Sequence, residues 1–114
     1  MTVTIWHNPR CTKSRQTLAL LEESGHAPKV RAYLNEPPNR AELEAALEML
    51  GKRPIEIMRT GEKVFRELGL TRDSDDEALI AAMLEHPILI ERPIVFHSGK
   101  AAIGRPPEAV LDLF

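Results

Sequence analysis

The first third of the chain reads strand, helix, strand, and that order restricts the fold more than any other feature. T-V-T-I-W-H (2–7) is rich in β-branched residues and reads as a short strand. Pro9 should end it, because proline has no N–H to give to a sheet ladder. Over residues 14–24 the pattern turns helical, with Leu18 and Leu21 one turn apart and Gly25 following as a left-handed cap. Residues 29–33 read as a second strand that stops at N-E-P-P-N (35–39), which is loop chemistry. Two strands joined by a helix should run parallel, with a right-handed crossover.

The next fifty residues are helical in pattern. Asn39 can cap a helix whose apolar stripe is Leu43, Ala46, Leu47 and Leu50, closed by Gly51. Residues 54–70 read as one or two short helices punctuated by Gly61 and Gly69. Ser74 and Glu77 have the spacing of a capping box for a helix to about residue 86, with Leu79, Ala82 and Met83 facing inward. Two short strands follow, at 94–96 and 100–103, with H-S-G-K (97–100) as the hairpin turn between them. Pro106 suits the first turn of a last helix that ends near residue 114. The expected fold is α/β and thioredoxin-like: a four-stranded mixed sheet flanked by helices, with a helical insert between strands 2 and 3.

A length of 114 residues suits one domain covering 1–114, with no internal repeat or long linker. Hydrophobic residues at 43% and charged residues at 28% are those of an ordinary soluble protein. The net charge of −2 offers no basic field for nucleic acid, so no nucleic-acid partner is expected. No apolar run approaches the ~20 residues that span a bilayer, so no membrane partner is expected either. The first residues lack the charged start and apolar core of a signal peptide. A single cysteine forms no internal disulfide and fits a reducing compartment, so the expected location is the cytoplasm. A monomer is expected.

That cysteine, Cys11, stands in H-N-P-R-C-T-K-S-R (7–15), a cationic, loop-like segment at the junction of first strand and first helix. Unpaired N–H groups and the helix dipole stabilise negative charge there. With Arg10, Lys13 and Arg15 nearby, such placement can lower a cysteine pKa from ~8.5 into the range ~3.5–7.5, giving a nucleophilic thiolate. An inert cysteine filling a gap under the sheet is the competing reading, and the cationic neighbours count against it. C-T-K-S places Ser14 where a dithiol motif has its second cysteine, so a redox cycle at Cys11 needs an external thiol. Ser14 can donate a hydrogen bond to the thiolate or cap the helix. His7, as an imidazolium, would favour the thiolate further; otherwise it merely ends the strand. A phosphatase-type Cys-x5-Arg loop is excluded, because Thr17 stands at the arginine position.

Arg59, Arg92 and Arg105 each lie beside a turn-forming residue, and arginine's planar fork suits a tetrahedral oxyanion. Pattern alone does not bring the three together. Pro93 opens a strand and is a candidate cis proline. His7, His26, His86 and His97 are too scattered for metal-ligand spacing, and no metal is expected.

The segments H-N-P-R-C-T-K-S-R, Y-L-N-E-P-P (33–38), H-P-I-L-I-E-R-P-I-V (86–95) and I-G-R-P-P-E-A-V-L (103–111) resemble, in order, the ArsC family of thioredoxin-fold arsenate reductases. The resemblance covers essentially the whole chain and marks it as a Cys-Thr-Lys-Ser loop subgroup, since Thr12 and Lys13 replace the usual Gly and Thr or Ser. It implies that Cys11 is the nucleophile toward arsenate and that Arg59, Arg92 and Arg105 hold the oxyanion. It implies supporting roles for His7, Ser14 and Arg15 around the loop, and a cis peptide at Pro93. It implies no bound cofactor, glutathione as co-substrate and glutaredoxin as partner. Two other functions accompany it: a monothiol glutathione-dependent oxidoreductase, and a regulator of the Spx type that contacts RNA polymerase. Ser14 counts against a two-cysteine redox switch, and the three arginines favour the enzyme.

Overall fold

Strand β1 (Val3–Trp6) lies inside a four-stranded sheet, in a computed structural model that describes residues 2–114. It pairs in parallel with β2 (Lys29–Arg31) and antiparallel with β3 (Ile94–His97), which pairs antiparallel with β4 (Lys100–Ile103). The sheet is mixed and flanked by helices, as the element order predicts. The parallel pair is joined by helix α1 (Thr12–Glu23). In the β3–β4 turn, Ser98 and Gly99 both have positive φ, 52° and 76°, the pattern of a two-residue type I′ hairpin.

By its internal contacts the described chain falls into two units: the residues up to Glu36 with Arg92–Phe114, and Pro37–Glu91. The first unit carries the sheet. Val3 and Ile5 point to one face of β1, two residues apart, and meet Leu21 of α1, Val95 of β3 and Val110 near the C-terminus. Ile5, Leu21, Val95 and Val110 are fully buried. Each such aliphatic side chain contributes about 1.5–3 kcal/mol by leaving water. On the opposite face Trp6 packs on Phe96 with ring centroids 4.9 Å apart, and the Arg31 guanidinium lies 5.9 Å from the Trp6 ring.

The second unit is the helical insert. Helix α2 (Arg40–Leu50) has the expected cap: Asn39 accepts from the Glu42 amide, Glu42 accepts from the Asn39 amide, and Gly51 closes the helix at φ 64°. Leu43, Ala46 and Leu47 are buried, while Leu50 is only half-buried. A 3₁₀ turn (Pro54–Ile57) and the short helix α3 (Lys63–Glu67) fill the stretch before α4 (Asp76–Glu85). Leu79, Ala82 and Met83 of α4 are buried as predicted.

Three local expectations need correction. β2 is shorter than residues 29–33, because Asn35 and Glu36 both donate to the Ala32 carbonyl and turn the chain early. The cap of α4 is Asp75, whose side chain accepts from the Ala78 amide, while Ser74 instead accepts from the Thr71 amide in the preceding turn. The last helix is a 3₁₀ helix (Pro107–Leu113); Pro107 occupies its first turn, and Pro106 is the cap residue before it.

Candidate active site

The loop between β1 and α1 is fixed by a side chain that the sequence pattern does not single out. Asn8 is buried; its Oδ1 accepts from the Arg10 amide at 3.0 Å and its carbonyl accepts from the Cys11 amide at 3.0 Å. The Asn-Pro dipeptide is a turn signal, and an Asx turn is the physical content of that signal here. Arg15 braces the loop from outside, donating to the Pro9 carbonyl at 2.9 Å and to Thr12 Oγ1 at 3.4 Å. These bonds seat Cys11 as the cap residue of α1, with its carbonyl accepting from the Arg15 amide.

Burial pushes the Cys11 thiol up. It is outweighed by a hydrogen bond from the Arg92 side chain, the Ser14 amide, the Arg92 charge and the Lys13 amide, which together hold the pKa below the ordinary cysteine value. The amides of Lys13 and Ser14 belong to the first turn of α1, where unpaired N–H groups are available to an anion. Arg105 stands on the other side, its Nη2 3.6 Å from Cys11 Sγ across 94 residues of sequence. Its Nε donates to the Arg92 carbonyl at 3.0 Å, so the two arginines are tied to each other.

Ser14 serves the thiolate through its backbone. Its hydroxyl is taken by His7 Nδ1 at 2.7 Å and by the Asn8 amide at 3.0 Å, and the residue is fully buried. His7 also departs from one expectation: burial, then the charge of Arg15, hold its pKa below the ordinary 6.5. The imidazole is therefore neutral near pH 7 and adds no positive charge beside the sulfur. Its place at the end of β1, where its amide donates to the Arg31 carbonyl, makes it a brace for the loop.

Arg92 and Arg105 are brought together by the ends of β3 and β4. The peptide bonds Arg92–Pro93 and Arg105–Pro106 are both cis, the first as anticipated and the second not. The Gly104 amide donates to the Pro93 carbonyl at 2.9 Å. Arg59 belongs to the second unit, where its side chain pairs with Glu91 at 3.1 Å and Glu62 at 3.4 Å. Among the described residues, no three His, Cys, Asp or Glu side chains cluster as a metal site. His26 and His97, scattered in sequence, do converge on Phe114: His26 stacks on its ring with centroids 3.7 Å apart, and His97 packs on it tilted by 34° with centroids 4.7 Å apart.

Of the three arginines that the family resemblance assigns to an oxyanion, Arg92 and Arg105 stand at a helix-start cysteine whose thiolate is favoured, while Arg59 pairs with carboxylates of the second unit. The ArsC family model matches residues 6–113. The chain belongs to the ArsC family. One relative, the uncharacterized protein YfgD of Escherichia coli K12, is 51% identical over 97% of this chain and 95% of its own. An arsenate reductase of Neisseria meningitidis is 46% identical over 95% of this chain and 94% of its own. The solved structure of an arsenate reductase from Vibrio cholerae superposes with a TM-score of 0.95 at 50% identity, covering 100% of this chain and 98% of that one. Among more distant ArsC structures, a family-related protein from Bacteroides fragilis has a TM-score of 0.80 at 22% identity, which speaks to the fold alone.

The balance of effects on the ArsC cysteine predicts a titration. Alkylation of Cys11 by iodoacetamide follows the thiolate fraction, so its rate rises with pH through the folded-state pKa. That midpoint should lie below the ordinary cysteine value. In Arg92→Met the side-chain hydrogen bond and charge are gone while burial still raises the pKa, so the midpoint should move upward and labelling at pH 7 should slow. An unchanged midpoint in Arg92→Met would remove Arg92 from the activation of the thiol.

Proposed function

We propose that this ArsC protein reduces arsenate to arsenite with Cys11 as nucleophile, and with glutathione and glutaredoxin as the external reductants. The observation that carries the proposal is a thiolate-favouring Cys11 with Arg92 hydrogen-bonded to it and Arg105 Nη2 3.6 Å from its sulfur. The names of close relatives support an oxyanion as the target. Arg92 and Arg105 would take the arsenate oxygens, each charge-assisted hydrogen bond contributing about 1.5–3 kcal/mol. Arg59, carried over from the resemblance, is proposed as a further anion ligand; reaching an oxygen would mean exchanging a carboxylate partner for it.

Chemistry then follows in balanced steps. The Cys11 thiolate forms an S–As bond while one As–O bond breaks, its oxygen leaving as water with protons from arsenate and solvent. A glutathione thiolate attacks the Cys11 sulfur. The new S–S bond forms as the S–As electron pair passes to arsenic, which leaves as arsenite in the +3 state. Thiol–disulfide exchange with glutaredoxin releases the Cys11 thiol and transfers glutathione to the partner. The single cysteine of the chain makes the external thiol obligatory.

The test is consumption of NADPH by glutathione reductase, coupled through glutathione and glutaredoxin, with and without arsenate. An arsenate-dependent rate that vanishes when glutathione is omitted is expected. A rate independent of arsenate but dependent on added glutathione mixed disulfides would overturn this proposal and assign the monothiol oxidoreductase instead.

A further inference from the structure

The external thiol of the proposed cycle must wait beside Cys11. The wall of the first unit next to Cys11 holds an open groove of about 540 Å³, a size typical of small-ligand sites. One side is a stripe of α1: Lys13, Gln16, Leu20 and Glu23, spaced i, i+3, i+7, i+10 along one face. The other side is the chain that follows Arg105, including Pro106 and Glu108. The groove therefore starts two residues after the nucleophile and one residue after the arginine whose Nη2 faces the sulfur.

Its charges are ordered. Lys13 stands at the Cys11 end of the stripe. Glu23 lies at the far end of α1, ten residues and about 15 Å along the helix axis. Glu108 adds a second carboxylate on the facing wall, and Leu20, Pro106 and Pro107 add apolar surface to the lining. A ligand matching this order has a carboxylate close to its sulfur and an ammonium at its other end; three extended residues reach about 11 Å, and the long side chains of Lys13 and Glu23 would supply the rest of the roughly 15 Å between their backbone positions. We infer that this groove is the binding site for the reducing thiol, and that its occupant is a small zwitterionic γ-glutamyl tripeptide thiol. Its glycyl carboxylate faces Lys13, its γ-glutamyl ammonium faces Glu23 and Glu108, and its sulfur lies toward Cys11. The inference rests on the thiol-dependent chemistry proposed above for the choice of ligand, and on the groove for its place.

Two experiments keep the groove and the arsenate chemistry apart. S-methylglutathione, which cannot react, is titrated into ¹⁵N-labelled Cys11→Ser protein. Amide shifts at Lys13, Gln16, Leu20 and Glu108 are expected, and they support the subsite even if arsenate turnover fails. Shifts absent at millimolar ligand, or confined to other surfaces, overturn the subsite whether or not the wild type reduces arsenate. The second experiment reverses two exposed charges in Glu23→Lys/Glu108→Lys. The KM for glutathione should rise about five- to tenfold, while the KM for arsenate and the rate supported by 2-mercaptoethanol, which has no charged ends, stay as in wild type. An unchanged KM for glutathione with a raised KM for glutaredoxin would overturn the inference and assign the groove to protein docking.

Discussion

Cys11→Ser should abolish arsenate-dependent turnover, a loss of at least about a thousandfold, while leaving the fold and the oxyanion affinity in place. A serine hydroxyl near pH 7 is not ionised, and no S–As or S–S bond can form through it, so both covalent steps disappear together. The substitution is nearly isosteric at a half-buried helix cap, where serine is itself a preferred residue, so stability should hold or rise slightly. Affinity has the less obvious sign. In the wild type the thiolate faces the same arginines that would hold the anion. Two like charges about 4 Å apart repel by about 1 kcal/mol even at the dielectric constant of water, and by more in a protein setting. Removing the thiolate should therefore leave arsenate or phosphate binding unchanged or severalfold tighter by calorimetry. A variant that keeps more than a few per cent of wild-type turnover would sink the nucleophile assignment. One that loses both turnover and anion binding would point to a disturbed loop rather than missing chemistry.

How far the sequence reaches depends on whether a signal is local. The βαβ unit, the H-S-G-K turn and the Asn39 cap are each settled by residues within a few positions, and each is present. The length of β2 and the cap of α4 are local too, yet in each case two adjacent residues compete for one role. Ala32 turns the chain before Tyr33 can extend the strand, and Asp75 takes the cap while Ser74 closes the turn before it. The site divides in the same way. Placement of Cys11 at a helix start follows from Pro9 and the helical pattern after it. Meeting Arg92 and Arg105 does not, because that contact depends on how β3 and β4 finish against β1, and nothing within ten residues of Cys11 encodes it. Family resemblance supplied those two arginines where pattern could not. The neutral state of His7 was out of reach for a related reason: it depends on burial and on Arg15 folding back, and neither is visible in a string of residues.

Gly104→Ala should be the most damaging single-methyl change in the first unit, and it lies where pattern reads only a turn residue. A Cβ at this position would stand 2.5 Å from Thr17 Oγ1 and 2.7 Å from Pro93 Cγ, far inside contact distance. Neither neighbour yields easily. Thr17 is fully buried and its hydroxyl donates to the Lys13 carbonyl at 2.8 Å, while Pro93 is a ring at the start of β3. Overpacking of this kind costs about 1–3 kcal/mol, which for a chain near this size lowers Tm by roughly 4–20 °C. Activity should fall further than stability explains. Relief of the clash pushes Pro93, which carries Arg92, or Thr17, which sits in the second turn of the helix that Cys11 caps; either way the sulfur and its guanidinium partners separate. Thr17→Ala removes one of the two obstructions, so Gly104→Ala should cost less in that background than in wild type, a coupling measurable by a double-mutant cycle in urea. Additive costs, or a Gly104→Ala Tm within a degree of wild type, would show that the glycine is there for another reason. The expected coupling would instead show that the ArsC chain needs glycine at 104 for room, so that the end of β4 can close over α1 and deliver Arg105 to Cys11.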